Sequence, residues 1–357
     1  MLAARAVFQN QAMPFCAARR RSILTLGWAG LCAGASQAAA QSVWRVGPQQ
    51  PIQRVAHAIA RAQDGDTIEV MPGVYVGDVA VIHQQRLTIR GIGERPHIQA
   101  AGQHAEGKGI WVLRGGAVTI ENLAFAGARV PDGNGAGIRL ERGQLQVNGC
   151  HFHDNQMGLL TGNDLATALS VDACSFSDAP VNPDALPHLL YVGRIGHFEM
   201  TRSSLRRGRE GHLLKCRAQQ AVITHNLLDD GPQGQASYEL DLPNGGLVTL
   251  DGNTVVQGPA TRNAVMLAFG AEGDAWPHSG LVMRGNTFIN QRSSGGWFVR
   301  VWSDRLPRDA QVISQGNSWL GPGSLILGHK AMQQGDKTGP APSLPSQPGF
   351  GPAAADR

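Results

Sequence analysis

Val118-Thr119-Ile120-Glu121-Asn122-Leu123-Ala124-Phe125 returns further along the chain as Leu145-Gln146-Val147-Asn148-Gly149-Cys150-His151-Phe152. It returns again as Leu169-Ser170-Val171-Asp172-Ala173-Cys174-Ser175-Phe176. Other copies begin at Phe198, Ala221, Val248 and Leu281, with a weaker copy at Val312 and a degenerate first one at Leu87. The intervals are similar but not constant, the shortest from Phe198 to Ala221 and the longest from Val248 to Leu281, as solenoid coils vary when loops are inserted at one corner. In each copy, two apolar side chains at period two enter a core and the strand then stops at a corner. The Asn, Cys or Ser that follows the apolar pair, sixth in nearly every copy, is expected to stack Asn122, Cys150, Cys174, Ser203, Asn226, Asn253, Asn286 and Asn317 into a ladder whose amides bond one another and the turn backbone. The eighth position is expected to stack Phe125, Phe152, Phe176, Leu205, Leu228, Val255, Phe288 and Trp319 as an apolar spine. The repeat predicts an all-β fold: a single-stranded parallel β-helix of about nine coils over residues 66–327, right-handed as parallel crossovers are.

Both ends carry their own signals. Residues 51–63 place Ile52, Val55, Ile59 and Ala62 on one helical face, which predicts an N-terminal helix covering the first open coil. The next stretch, Asp64-Gly65-Asp66-Thr67-Ile68-Glu69-Val70-Met71-Pro72-Gly73-Val74-Tyr75, resembles the N-terminal entry of pectin-lyase-like right-handed parallel β-helix proteins. The resemblance covers roughly residues 50–330, and it specifies a fold rather than a reaction. From Thr338 the chain is rich in Pro, Gly and Ser, so residues 338–357 are expected to be a disordered tail behind a domain of residues 41–337.

Residues 1–40 read as an export signal: Arg19, Arg20 and Arg21 precede an apolar run from Ile23 to Cys32, and small residues end at Ala38-Ala39-Ala40. The order Arg20-Arg21-Ser22-Ile23-Leu24 resembles a twin-arginine signal, whose route carries folded cargo. The mature chain is then expected in the periplasm or secreted, without a membrane anchor, because the apolar run falls short of the roughly 20 residues that span a bilayer. Losing the four leader arginines from 31 Lys and Arg leaves 27 basic residues against 27 acidic ones. The formal +4 therefore vanishes, and with it any general attraction for nucleic acid. Of five cysteines, Cys150, Cys174 and Cys216 remain, without metal-ligand spacing. Cys150 and Cys174 are expected on adjacent ladder rungs as free thiols, because parallel in-register side chains fit the bridge dihedral poorly. With 46 glycines and only 16% charged residues, the composition suits short buried strands joined by tight corners.

A second strand precedes each repeat phrase. His188-Leu189-Leu190-Tyr191-Val192 and His212-Leu213-Leu214-Lys215-Cys216 share His-Leu-Leu, and aligning the two sets Tyr191 one coil below Lys215. A further step of similar length sets Tyr238 over His212 and Asp241 over Lys215. One outward column is expected to carry Tyr191, Lys215 and Asp241, with Arg217, Glu239, Arg139 and Arg300 nearby. As an outward side chain, Lys215 is expected to add little to stability.

Leu213-Leu214-Lys215-Cys216-Arg217 resembles the lysine strand of chondroitinase B and the related alginate lyases. By that resemblance Lys215 would be the base that removes the C5 proton of a uronate, while Asp241 stands where the family has an arginine. Such an elimination also needs cations to hold the carboxylate and an acid for the leaving oxygen. Arg217 and Arg139 suit the first need, and Tyr191 or His212 the second. Glu239, Asp241 and Arg300 complete the expected substrate contacts. Asp229, Asp230, Glu239 and Asp241 offer oxygens for calcium, although no metal site is assigned. Two functions follow from these residues: a lyase acting on an acidic polysaccharide or oligosaccharide, or a non-catalytic polysaccharide-binding or structural envelope module. A uronan epimerase shares the base-and-clamp chemistry. The chain is expected to act as a monomer.

Overall fold

The computed structural model describes residues 41–181 and 186–342; the expected export signal, residues 1–40, and the chain beyond 342 lie outside the described residues. The backbone winds through three parallel sheets of 12, 11 and 10 strands, here A, B and C. Every coil from residue 67 onward enters A, turns into B, crosses to C and returns to A one level higher. Sheet A takes strands such as Ala117–Glu121 and Gln144–Asn148, sheet B the three-residue Ala124–Ala126 and His151–His153, and sheet C Ala136–Leu140 and Met157–Thr161. The repeat phrase therefore spans two strands and the corner between them. Its period-two apolar pair belongs to sheet A: Val118, Leu145 and Leu169 are paired in register and buried, as are Ile120, Val147 and Val171.

The A–B corner explains the fifth position of the phrase. Asn122, Ala173, Arg202 and His225 have φ of 48–57°, and Gly149, Gly252, Gly285 and Gly316 have 57–65°. One left-handed residue per coil makes the bend, a conformation that glycine adopts without strain and asparagine tolerates. This corrects the expected ladder at its first rung. Asn122 is that left-handed residue, with its amide bonded to the Gly91 and Gly93 carbonyls, and Leu123 takes the sixth position. The other seven rungs stand as expected. The backbone N–H of Asn226, Asn253 and Asn286 each donates to the next asparagine Oδ1 at 2.9 Å, and their Nδ2 groups reach the same oxygens. Lower down, Cys150 N–H donates to Cys174 Sγ, and Cys174 N–H to Ser203 Oγ. Cys150, Cys174 and Cys216 are free and buried. In the spine, Phe125, Phe152 and Phe176 stack at 5.3 and 4.6 Å, and Phe288 stacks on Trp319 at 4.5 Å.

The solenoid is longer than its repeat suggests. Val43–Val46 pairs with Thr67–Val70 below the first copy, and Met332–Gln334 and Lys337–Gly339 extend sheets A and B beyond residue 327, crossing the expected start of the tail. The N-terminal helix is shorter, α1 (Val55–Arg61), and it packs on Ala80–Ile82 at the end of sheet C. The buried Asp78 carboxylate accepts from the N–H groups of Val55 (2.6 Å) and Ala56 (2.9 Å), satisfying donors that a helix start leaves unpaired. Among the described residues, no helix is long and apolar enough to cross a membrane.

Candidate functional site

Strands His188–Val192, Leu214–Cys216 and Leu240–Leu242 are consecutive in sheet C, and their register pairs Tyr191 with Lys215 and Lys215 with Asp241. Leu190, Val192, Leu214, Cys216, Leu240 and Leu242 point into the core, so by alternation Tyr191, Lys215 and Asp241 point outward. Outward does not mean exposed here: Lys215 is 7% accessible and Asp241 1%. The cover is the connection between strands Val265–Phe269 and Gly280–Arg284, which brings Glu272 over the column.

Lys215 Nζ donates to Asp241 Oδ2 at 2.9 Å and to Glu272 Oε1 at 2.6 Å. Arg217 donates to three acceptors: Tyr191 OH at 2.9 Å, Asn244 Oδ1 at 2.7 Å and Glu272 Oε2 at 2.5 Å. The Glu272 carboxylate thus bridges the two cations, one oxygen to each. His212 Nε2 lies 3.2 Å from Asp241 Oδ2, leaving its buried Nδ1 without a partner. His188 stacks on His212 at 4.7 Å, accepts the His212 N–H on Nδ1, and lies beside Tyr191. Tyr238 sits over His212 on the next coil, as the sequence predicts.

Charge sets the protonation of this cluster. Burial pulls the Lys215 ammonium down, but Asp241 and Glu272 outweigh it and hold its pKa above the ordinary value. Burial pushes both Asp241 and Glu272 up. Asp241 is nonetheless held below its usual range by His212 and Lys215, and Glu272 by Lys215 and Arg217. His188 is driven well below its usual value by burial, with the nearby His212, Lys215 and Arg217 adding to the shift. Lys215, Arg217, Asp241 and Glu272 together sum to zero charge.

No protein-family model and no curated protein matches this sequence. Solved structures do. An alginate lyase from Paenibacillus sp. str. FPU-7 is similar over 81% of this chain and 98% of its own, with a TM-score of 0.53 and 13% identity. Pectate lyase Pel9A is similar over 80% of this chain and 77% of its own, with a TM-score of 0.57 and 10% identity. The fold is the right-handed parallel β-helix. At such identities the likeness is one of architecture, in agreement with the pectin-lyase-like entry at residues 64–75.

Within the β-helix, the expected site divides. Tyr191, His212, Lys215, Arg217 and Asp241 come together. Arg139 and Arg300 occupy the same outward column but stand three coils, about 14 Å, to either side of Lys215. Arg139 pairs with Glu141 at 3.1 Å, and Arg300 lies 4.5 Å over the Trp302 ring. Neither reaches the carboxylate that Lys215 and Arg217 hold.

Glu239 is a correction. It is 0% accessible and turned inward, its Oε2 accepting from Gln257 Nε2 at 3.2 Å. The corner ahead of the strand breaks the alternation, as the buried Leu189 and Leu213 at equivalent positions show. Burial drives the Glu239 carboxyl well above its usual range, with Asp230 adding to it, while burial and Asp229 push Asp230 to about 6. The four acids considered for calcium do not converge, and among the described residues no group of three or more His, Cys, Asp or Glu is placed to hold a metal.

Glu272 and Asn244 were not anticipated. The repeat carries no copy of either, but Glu272 falls in the longest interval, from Val248 to Leu281, where an insertion must leave the coil.

Proposed function

We propose that this protein recognises an acidic polysaccharide along the outer face of sheet C, with Lys215 and Arg217 as the clamp for one uronate carboxylate. The observation that carries this reading is the Glu272 carboxylate already lying between the two cations. Charge-assisted bonds of this kind are the strong ones, and a planar guanidinium beside an ammonium suits a carboxylate better than a neutral hydroxyl. Arg139 and Arg300 extend the face in both directions for a polymer that presents a charge on each sugar. The fold shared with an alginate lyase and a pectate lyase supports the ligand class. The leader-like residues 1–40 support export to the periplasm or beyond, where such polymers occur.

β-Elimination is the second reading, favoured by one bond. Arg217 donates to the Tyr191 oxygen, so the phenol proton points away from it and is free for a leaving oxygen. The base assigned to Lys215 by resemblance is opposed by its two carboxylates, which keep the ammonium protonated. Isothermal titration of the chain from residue 41 with oligogalacturonate, oligoalginate and carboxyl-reduced forms of each tests recognition, and ultraviolet absorbance of unsaturated ends tests elimination. Binding to the carboxylated forms alone, lost in Arg217→Ala, is expected. Equal binding to the reduced forms would sink the clamp.

A further inference from the structure

The clamp is already full. Glu272 satisfies it with one carboxylate oxygen on each cation, and Lys215, Arg217, Asp241 and Glu272 leave no spare positive charge among them. Yet Glu272 is the most exposed member, its side chain 45% accessible against 17% for Arg217, whereas Lys215 and Asp241 are almost wholly covered. The backbone beneath it is fixed: Glu272 N–H donates to the Pro243 carbonyl, Asn244 Nδ2 to the Gly273 carbonyl, and Trp276 Nε1 to the Arg217 carbonyl. Arg194 further holds this segment from outside, 4.1 Å over the Trp276 ring and paired with Asp274. A rotation of the Glu272 side chain would withdraw its carboxylate from both cations with these backbone bonds kept.

Resting on the reading that Lys215 and Arg217 take a uronate, we infer that Glu272 is a built-in surrogate ligand that makes entry conditional on a carboxylate. A sugar bearing a carboxylate replaces the two bonds and the charge that Glu272 withdraws. A neutral sugar replaces neither, and leaves Lys215 and Arg217 with an uncompensated charge in a covered site. Discrimination comes from the clamp, and the internal competitor raises the threshold, so that only a ligand able to replace its bonds and charge enters with useful affinity. The competitor lowers the apparent affinity by the fraction of molecules whose clamp is free.

The test titrates wild type, Glu272→Ala, Glu272→Gln and Arg217→Ala with a short oligogalacturonate, an oligoalginate and their carboxyl-reduced counterparts, with circular dichroism and thermal unfolding confirming that each variant is folded. Both Glu272 variants should bind the carboxylated oligosaccharides roughly tenfold more tightly than wild type. The carboxyl-reduced sugars should remain far weaker ligands than the carboxylated ones in every variant, because the clamp itself discriminates. If wild type binds and Arg217→Ala does not, but the Glu272 variants bind equally or more weakly, the surrogate-ligand inference is overturned while the clamp stands, and Glu272 is a structural brace. If neither wild type nor the Glu272 variants bind any carboxylated oligosaccharide, both the clamp and its competitor fall.

Discussion

The A–B corner and the outer face of sheet C both stack one side chain per coil, about 4.8 Å apart, and use that stacking in opposite ways. Along the corner, Asn226, Asn253, Asn286 and Asn317 repeat one chemistry, each amide donating and accepting for its neighbours. Along the face, Arg139, Leu160, Tyr191, Lys215, Asp241, Ala268 and Arg300 follow one another with no two neighbours alike. A neutral amide satisfies itself by repetition, whereas a charge stacked on its own kind repels it. Charge is therefore admitted where repetition is given up, and there opposite charges gather into ion-paired groups, the largest around Lys215 and a smaller one of Lys108, Arg139 and Glu141.

Replacing Lys215 tests that contrast most severely. Lys215→Met leaves the covered Asp241 carboxylate with His212 alone, and the expected loss is roughly 3–5 kcal/mol in urea unfolding. This revises the expectation that an outward lysine adds little to stability. The double variant Lys215→Met/Asp241→Leu should recover most of the loss, because neither charge is then stranded. The pH range follows from the two shifts. Asp241 is depressed, so its share is present above about pH 4 and lost as pH falls through the depressed value. Lys215 is raised, so its share is complete below about pH 10 and is lost only as pH rises through the raised value. The deficit of Lys215→Met should hence stay level through neutrality and shrink in acid. A deficit under about 1 kcal/mol would make the cluster an ordinary surface stack.

Asn253→Ala probes the ladder with a smaller effect. It strands the buried Asn226 N–H and removes the donor to the Ile223 carbonyl, for an expected cost of about 3 kcal/mol in the same unfolding experiment. Cys150→Ser should change stability by less than about 1 kcal/mol. Ser203, on the equivalent rung two coils further on, already fills the position with a hydroxyl that accepts the Cys174 N–H and donates to the Thr201 carbonyl. A large loss there would mean that sulfur size, rather than bonding pattern, holds the lower rungs.

The same contrast decides what could be read from the sequence. The phrase from Val118 to Phe125 and its copies announce the fold, because residues that meet identical neighbours in every coil are under identical constraints. Asn122 stands one place before the ladder position in its copy, and only its count from Val118 separates it from the ladder, because asparagine serves both the left-handed corner and the amide ladder. Tyr191 and Lys215 are legible through the shared His-Leu-Leu register, and Asp241 through one further step of similar length. That register also placed Glu239 in a leucine position, so its inward turn was available to a stricter alignment. Glu272 was not legible, because its contacts span 55 and 57 residues from within an insertion that no repeat constrains.

Among the described residues, the two ends of the winding are unequal, and this gives the solenoid a direction. At the first coil, α1 closes the end of sheet C and is held by the buried Asp78. At the last, Met332–Gln334 is exposed at every residue, and the preceding Ser324–Leu327 is nowhere fully buried. In a structure where each coil leans only on its neighbours, the weakest rung is the one supported on one side. Under tension or during transient opening, this chain should peel from its C-terminal coil toward α1, as a rope frays from its unwhipped end, with the Lys215 cluster several turns inside the part that lets go last.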